Sequence, residues 1–312
     1  MLIKILELFG GIGSPRKALI NLGIEHKSID YVEFNEKAVR SYNAMFDNRY
    51  PPQDVRGYDL QPDILVHGSP CQDFSIGGKQ YGGNIEDGTR SSLMFETIQI
   101  VRNLGIWKPK VIIWENVPNA LSPKLIGAFE HYLSDIKNLG YTTSYQILDA
   151  TDFGIPQKRK RLYAVSELNG KVFNFDLLKK TPMQSIDLFL ENEFDNKYIV
   201  TQPSMISKLP GKEVSGTYGG RMLTEIKTHA LTITTKQMRC PNSGVVRINE
   251  DDFRYLTERE CWRLMGFDDE DFGRALIEHP GTKGKLNGTL YHQAGNSIVV
   301  QVLEAIFKVL IQ

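Results

Sequence analysis

The residues that could carry chemistry lie where predicted strands end. Cys71 follows an apolar strand, residues 63–67, in a polar Ser-Pro-Cys-Gln-Asp turn, where a thiolate could act as a nucleophile. Glu115 ends another apolar strand and could serve as an acid or hydrogen-bond partner for a substrate ring nitrogen; a strand-end carboxylate with satisfied hydrogen bonds and no catalytic role is the alternative. Arg159 and Arg161 alternate along the extended segment Gln-Lys-Arg-Lys-Arg, so we expect both on one side of it. Because catalytic groups gather at the carboxyl ends of strands in an open sheet, these side chains are expected to meet there.

A glycine-rich turn after the first predicted strand indicates a nucleoside site. Residues 9–14 have the sequence Phe-Gly-Gly-Ile-Gly-Ser, and Glu33 ends the next predicted strand, where its carboxylate can accept hydrogen bonds from ribose hydroxyls. The spacing is Gly-Gly-x-Gly rather than the Gly-x-Gly-x-x-Gly of dinucleotide folds, which favours a nucleoside such as S-adenosylmethionine. A tight strand-to-helix connection without any ligand is the alternative that this motif alone leaves open.

The elements that must position these residues follow from alternating apolar runs and helical patterns. Strands are predicted over residues 3–9, 29–32, 63–67, 111–114, 143–148 and 162–165, and helices over 15–22, 36–46, 93–104 and 124–138. This order predicts an α/β fold with a doubly wound, mostly parallel sheet and right-handed crossovers. The almost wholly apolar segment 298–311 predicts a buried helix that returns to this sheet, and Thr257 with Glu260 forms a capping-box pattern.

The even charge balance of the chain conceals two segments of opposite sign. The 312 residues include 37 basic and 37 acidic ones. Residues 197–247, however, carry a net charge of +6 and residues 248–279 a net charge of −6. The basic segment could face phosphates. We expect Arg254 and Arg259 to tie the acidic segment to the fold, away from such a partner.

The composition also indicates in which cellular compartment the protein is expected. The three cysteines have no Cys-x-x-Cys spacing, so neither a disulfide framework nor a zinc site is indicated. No single apolar run approaches the roughly 18–20 residues that a membrane helix needs. A reduced, cytoplasmic protein without a membrane span or a metal is therefore expected.

These motifs, in this order, resemble the C5-cytosine DNA methyltransferase family over nearly the whole chain. The segments that carry the resemblance are residues 9–14, 33–35, 54–55, 68–75, 115–117, 152–161, 254–267 and 293–297. The succession of Pro-Cys-Gln, Glu-Asn-Val and Gly-Ile-Pro-Gln-x-Arg-x-Arg is highly specific. The chain departs from the commonest pattern at Ser14 and Ser69, where Gly and Pro are usual, and Gly77 offers no side chain to fill the gap that a flipped base leaves.

The resemblance implies methyl transfer from S-adenosylmethionine to C5 of a cytosine flipped out of duplex DNA, through a bond between Cys71 and C6. It implies Glu115 at N3 and the exocyclic amine, and Arg161 at O2, while Arg159 helps to hold the active site and its phosphates. The implied cofactor residues are Phe9, Gly11, Gly13, Glu33, Phe34, Asp54, Val55, Pro70, Leu93, Asn296 and Ser297. The implied DNA contacts are Ser75, Gln157, Arg221, Lys227, Thr232 and Lys236.

The resemblance also implies two domains in the chain and the partners on which it acts. Residues 1–185 and 286–312 would form the catalytic domain, and residues 186–285 the target-recognition domain. A monomer acting on duplex DNA is expected, with a cognate restriction endonuclease as an optional functional partner. Two alternatives remain: a cytosine methyltransferase of the same chemistry that acts on tRNA, and a catalytically silent DNA-binding regulator.

Overall fold

The computed structural model describes residues 2–55, 61–69, 93–211, 222–239 and 241–311. The strands up to residue 168 are β1 (Ile3–Leu8), β2 (His26–Val32), β3 (Ile64–His67), β4 (Val111–Asn116), β5 (Tyr141–Asp149), β6 (Gln157–Lys158) and β7 (Lys160–Leu168). All but β6 form one sheet in the order β2-β1-β3-β4-β7-β5. The first four strands in that order run parallel, and β7 and β5 are antiparallel to their neighbours. The predicted α/β fold with a mostly parallel sheet is confirmed.

The helices predicted over residues 15–22, 36–46, 93–104, 124–138 and 298–311 are present and begin and end within a few residues of those bounds. The helices of the described residues are α1 (Ser14–Asn21), α2 (Glu36–Phe46), α3 (Met94–Asn103), α4 (Ile126–Asn138), α5 (Pro203–Ile206), α6 (Glu258–Arg263), α7 (Asp269–Glu278), α8 (Gly288–Asn296) and α9 (Val300–Ile311), and of these α5, α7 and α8 were not predicted. Single turns of 3-10 helix occupy Gly105–Trp107, Pro118–Leu121, Ala150–Asp152, Phe175–Leu177, Ile186–Leu188 and Asn196–Tyr198. Asn35 begins α2 by accepting hydrogen bonds from the N–H groups of Lys37 and Ala38. Helices α1 and α2 therefore begin next to the strand ends that carry the predicted site residues.

Apolar residues bury both faces of the sheet, because successive strand residues point to opposite sides. Ile5 faces a core that α1, α6 and α9 complete, whereas Leu6 faces a second core shared with α3 and α4. The C-terminal helix α9 packs directly against α1 and buries six of its twelve residues, in agreement with the predicted buried helix. The helix layers thus fix the carboxyl edge of the sheet from both sides.

The described chain from residue 200 onward contains a smaller core of its own. Three two-residue strands lie there: β8 (Ala230–Leu231), β9 (Val246–Arg247) and β10 (Phe253–Arg254). β8 pairs with β6, and β9 pairs with β10. The small core consists of Val200, Met205, Leu209, Leu223, Val245, Phe253 and Tyr255.

Helices α6 and α7 fall within the range predicted for the second domain, but they pack in the first core. Trp262 and Phe272 belong to the core that also contains Ile5 of β1. The ammonium group of Lys17 on α1 lies 2.6 Å from Asp268 and 2.7 Å from Asp271. Residues 186–285 therefore contribute to both cores. The sequence does not predict this, because the apolar faces of two short helices do not indicate which core they will join.

The acidic segment is held by ion pairs within the molecule. Arg254 and Glu260 form a buried pair at 2.8 Å, and Glu260 also completes the predicted capping box with Thr257. Arg259 lies 3.1 Å from Glu191 and 3.5 Å from Asp269. The two arginines expected to tie this segment to the fold do so.

One stretch of the described chain is long and apolar enough, by length and composition, to cross a membrane. It spans residues 288–311, and its most apolar window of 18 residues has a mean hydropathy of 1.6. It consists of α8 and α9, which Ser297 separates with an extended backbone conformation, and 56% of that window is buried.

Candidate active site

A cavity of about 1070 Å³ opens at the carboxyl edge of the parallel strands. It brings together residues that are far apart in the sequence and were predicted separately as cofactor and catalytic groups. Those that line it are Phe9, Gly11, Glu33, Phe34, Glu115, Arg159, Arg161 and Asn296. One continuous space can therefore receive a nucleoside and a second ring.

The glycine turn is built for close packing beneath this cavity. Gly13 precedes α1 with a φ of 81°, and a Cβ atom there would overlap the rings of Tyr42 and Phe46. Only glycine combines that backbone conformation with that close approach. The Tyr31 hydroxyl donates a hydrogen bond to the carbonyl of Gly11 and holds the turn from below.

Glu33 is bound on the turn side and available on the cavity side. The backbone N–H of Gly11 donates to Oε2 at 3.0 Å, and that of Asn35 donates to Oε1 at 2.8 Å. Burial raises the pKa of Glu33, and these backbone N–H groups oppose the rise. Each oxygen keeps a further lone pair that can accept a hydrogen bond from a ligand hydroxyl. The adjacent Phe34 ring is 80% exposed at the cavity rim, where a planar base could stack on it.

Glu115 and Arg161 form the charged centre of the other half of the cavity. Arg161 Nε lies 3.1 Å from Glu115 Oε1, and both side chains are largely buried. Burial raises the pKa of Glu115, while the positive charges of Arg161 and Arg159 oppose the rise. Gly68 at the end of β3 faces this carboxylate, since a Cβ there would lie 3.9 Å from Glu115 Oε2. The Glu115 carboxyl group can therefore be protonated or ionised while the Arg161 guanidinium lies beside it.

The alternation expected along residues 157–161 is present. Arg159 and Arg161 both line the cavity, whereas Lys158 and Lys160 are exposed. The Arg159 guanidinium is buried and donates to three backbone carbonyls: Ile233 at 2.8 Å, Ser297 at 2.8 Å and Gly295 at 3.1 Å. Arg159 thus joins the segment between β6 and β7, the 230–235 segment and the end of α8.

Gln157, a predicted DNA contact, has a fully buried side chain. Its side-chain amide donates to the Leu264 carbonyl at 2.8 Å, and its oxygen accepts from the Ile233 N–H at 3.0 Å. The alternation that turns Arg159 inward also turns Gln157 inward.

The other predicted residues divide into three groups. Cys71, Pro70, Ser75 and Arg221 lie outside the described residues. Gly13, Asp54, Val55, Leu93 and Ser297 do not line the main cavity, although Ser297 lines a small adjoining one with Gly11. Lys227 and Lys236 are exposed, and the Thr232 hydroxyl donates to the Lys158 carbonyl at 2.9 Å.

Sequence reasoning missed a wall of the cavity between α2 and α8. Lys37 Nζ donates to the Thr289 hydroxyl at 3.2 Å, and His292 lies 3.4 Å from the Asn296 amide. Thr289 and His292 both line the cavity. Helical spacing would have indicated His292, since it precedes Asn296 by four residues and shares its face of α8.

The fold is that of solved methyltransferases. The chain superposes on the crystal structure of the S. pombe Dnmt2 methyltransferase with a TM-score of 0.79 and 22% sequence identity, covering 99% of this chain and 98% of that one. A putative DNA modification methyltransferase encoded within an E. coli prophage gives a TM-score of 0.68 at 16% identity. At these identities the likeness concerns the fold alone.

The sequence comparison identifies the family. The model of the C-5 cytosine-specific DNA methylase family matches residues 3–312, so the chain belongs to that family of methyltransferases. The Type II methyltransferase M.HhaI of Haemophilus parahaemolyticus is 31% identical over 326 residues, which cover 97% of this chain and 93% of that protein. M2.ScrFI of Lactococcus lactis subsp. cremoris is 29% identical over 370 residues, covering 98% of each chain.

Proposed function

We propose that the protein transfers the methyl group of S-adenosylmethionine to C5 of a cytosine flipped out of duplex DNA. The observation that carries this proposal is the buried Glu115–Arg161 pair, which shares one cavity with the glycine turn and Glu33. A carboxyl that can protonate a ring nitrogen therefore lies beside a site suited to a nucleoside. Family membership supplies the reaction class, and this geometry supports its details.

The residues present fit the proposed cofactor. Glu33 would accept hydrogen bonds from the ribose hydroxyls and the exposed Phe34 ring would stack on the adenine, while the turn around Gly11 leaves room for the methionine part. Asn296 would close this half of the cavity from α8. When bound, S-adenosylmethionine supplies an electrophilic sulfonium methyl group.

Cytosine C5 is a weak nucleophile, and the side chains would activate it. The Cys71 thiolate would add to C6, and Glu115 would protonate N3, so that the ring becomes an enamine whose C5 can accept the methyl group. Arg161 would bind O2 and balance the charge on Glu115 as its proton leaves. Transfer of the methyl group would leave S-adenosylhomocysteine, and the C5 proton would then pass to solvent water. Elimination would break the S–C6 bond and regenerate the Cys71 thiolate, while N3 returns its proton to Glu115.

The duplex would be held mainly by cations outside the cavity. Lys158 and Lys160 point away from Arg159 and Arg161, so one segment would serve phosphates with one side and the flipped base with the other. Lys227 and Lys236 are exposed on the segment that Arg159 joins to the cavity, and would contact DNA there. Flipping would cost a few kcal/mol, which contacts to the extruded base and the backbone would offset.

A mechanism-based trap tests this proposal. Duplex DNA with 5-fluorocytosine at its target sites should form a stable covalent adduct with the wild-type protein in the presence of the cofactor, because fluorine at C5 prevents the elimination. Cys71→Ser should abolish both the adduct and the transfer of labelled methyl groups, while duplex binding persists. Unchanged turnover in Cys71→Ser would contradict the covalent step.

The same assay separates the alternative activities. Labelled methyl groups should enter duplex DNA and not tRNA, and bisulfite sequencing of DNA from expressing cells would give the recognition sequence. Absence of adduct and of methylation on all of these substrates would favour the silent DNA-binding regulator. We place the protein in the cytoplasm with its substrate, and methylation should protect that DNA from a restriction endonuclease that cleaves the same sequence.

A further inference from the structure

A pair of buried polar contacts holds the chain where β3 ends, just before the proposed nucleophile. Ser69 is 3% exposed and precedes Cys71 by two residues. The indole N–H of Trp114 donates to the Ser69 hydroxyl at 2.9 Å, and the Asn116 amide donates to the Ser69 carbonyl at 3.4 Å. Both donors come from β4, the strand that also carries Glu115.

Because side chains alternate along a strand, these residues lie on the two opposite faces of β3 and β4. Trp114 and Asn116 flank Glu115, so they point to the side of β4 opposite to the cavity. On β3 and its continuation, Gly68 faces Glu115 and Ser69 faces Trp114. The chain that leads to Cys71 is thus attached to β4 on one side and faces the Glu115 carboxylate on the other.

The donor cannot easily turn away from Ser69. The fully buried Trp114 ring stacks on Phe129, with centroids 5.1 Å apart, and lies 5.3 Å from the ring of Tyr132. Tyr132 in turn bonds to the buried His67 at 2.9 Å. Burial lowers the pKa of His67 to about 3, so its ring stays neutral and this layer carries no charge that titrates near neutral pH.

We propose that Ser69 and Trp114 are positioning residues that set the distance between the nucleophile segment and Glu115. The inference rests on the proposed function, in which Cys71 attacks the base that Glu115 protonates. A displacement on the order of 1 Å between reacting groups can slow a reaction by about a hundredfold, so a bond that holds the end of β3 to β4 bears directly on the rate.

The test is a double-mutant cycle read by the rate of covalent trapping on 5-fluorocytosine duplex. Ser69→Ala and Trp114→Phe should each slow adduct formation about tenfold, and the double variant should be about as slow as Trp114→Phe, since the bond is already lost. Ser69→Thr, which keeps a hydroxyl, should recover most of the rate. The affinities for duplex and for S-adenosylmethionine should change less than about twofold.

Other outcomes would overturn the inference. A purely structural role predicts a lower melting temperature and a smaller folded fraction, but a normal trapping rate per folded molecule. Multiplicative losses in the double variant would show that the two residues act independently. An unreactive wild type would overturn the proposed function and this inference together, whereas a reactive wild type with an unaffected Ser69→Ala overturns this inference alone.

Discussion

At the scale of single residues, the site depends on carboxyl groups whose surroundings pull the pKa in opposite directions. Burial favours the neutral form of Glu115, and the adjacent arginines favour the charged form. This balance suits a group that must give a proton to a ring and recover it within one turnover. The sequence indicated Glu115 by its place at a strand end, but only the folded chain brings Arg161 to 3.1 Å from it.

Glu115→Gln is expected to lower methyl transfer by about a hundredfold to ten-thousandfold, because the amide fills the same space but cannot donate a carboxyl proton. Single-turnover incorporation of labelled methyl groups into duplex DNA measures the effect. Glu130→Gln, at an exposed position on α4, is the matched control and should behave as the wild type. A Glu115→Gln variant that retains more than about a tenth of the rate would contradict this role.

A second carboxyl makes stability depend on pH. Glu7 on β1 is fully buried, accepts a hydrogen bond from the Tyr42 hydroxyl at 2.6 Å, and has its pKa raised by burial to about 7. The folded protein holds this proton more tightly than the unfolded chain does. Its contribution to stability is therefore present below about pH 4.5 and is lost as the pH rises through about 7.

Glu7→Gln, which stays neutral, should remove that dependence. Relative to the variant, the wild type should lose on the order of 3 kcal/mol of unfolding free energy between about pH 4.5 and the region above pH 7. Urea unfolding of both proteins at about pH 5 and about pH 8 measures the difference. Parallel pH profiles for the two proteins would show that Glu7 is ionised throughout this range.

At the scale of elements, the packing of α8 against the 230–235 segment decides whether the cavity has its second wall. A Cβ at Gly295 would overlap the backbone of Thr234 and Thr235, and the Gly295 carbonyl accepts from Arg159. The sequence pattern predicted α1 to α4 well because apolar spacing is a local signal, but it did not predict α8. It could not predict this contact, since a glycine required by a distant backbone looks like any other glycine.

Gly295→Ala should therefore destabilise the protein by about 1–3 kcal/mol and lower the affinity for S-adenosylmethionine, because α8 must move away from the 230–235 segment. Denaturant unfolding and calorimetric titration with the cofactor measure the two effects. Gly273→Ala on α7 is the matched control, since a Cβ there meets open space and alanine favours a helix. Equal stability of the two variants would contradict the close approach at α8.

At the scale of the whole molecule, a net charge of zero results from segments that do different work. The acidic segment is occupied by internal pairs such as Arg254–Glu260 and Lys17–Asp271, whereas Lys227 and Lys236 of the basic segment are exposed. Lys236 lies two residues after Thr234, and the backbone of Thr234 contacts the cavity wall at Gly295. The positive charge next to the cavity is therefore free to act on phosphates although the total is zero.

Lys236→Ala is expected to weaken duplex binding a few-fold and to reduce the slope of log affinity against log salt by about one, because one phosphate contact is lost. Fluorescence anisotropy over a series of salt concentrations measures the slope. Lys308→Ala, an equally exposed cation on α9, should leave it unchanged. The same slope for both variants would place Lys236 away from the DNA backbone.

The amino-acid sequence by itself determined the class of fold, the family motifs and most helix and strand positions, because each depends on local spacing or on consecutive residues. Only the tertiary structure decided which residues meet. In the folded chain Glu115 pairs with Arg161 and the side chain of Gln157 lies in the interior. Helices α6 and α7 pack in the first core, and Ser69 is hydrogen-bonded to Trp114. The physical reason is that burial and hydrogen bonding between distant segments depend on packing that no local pattern encodes.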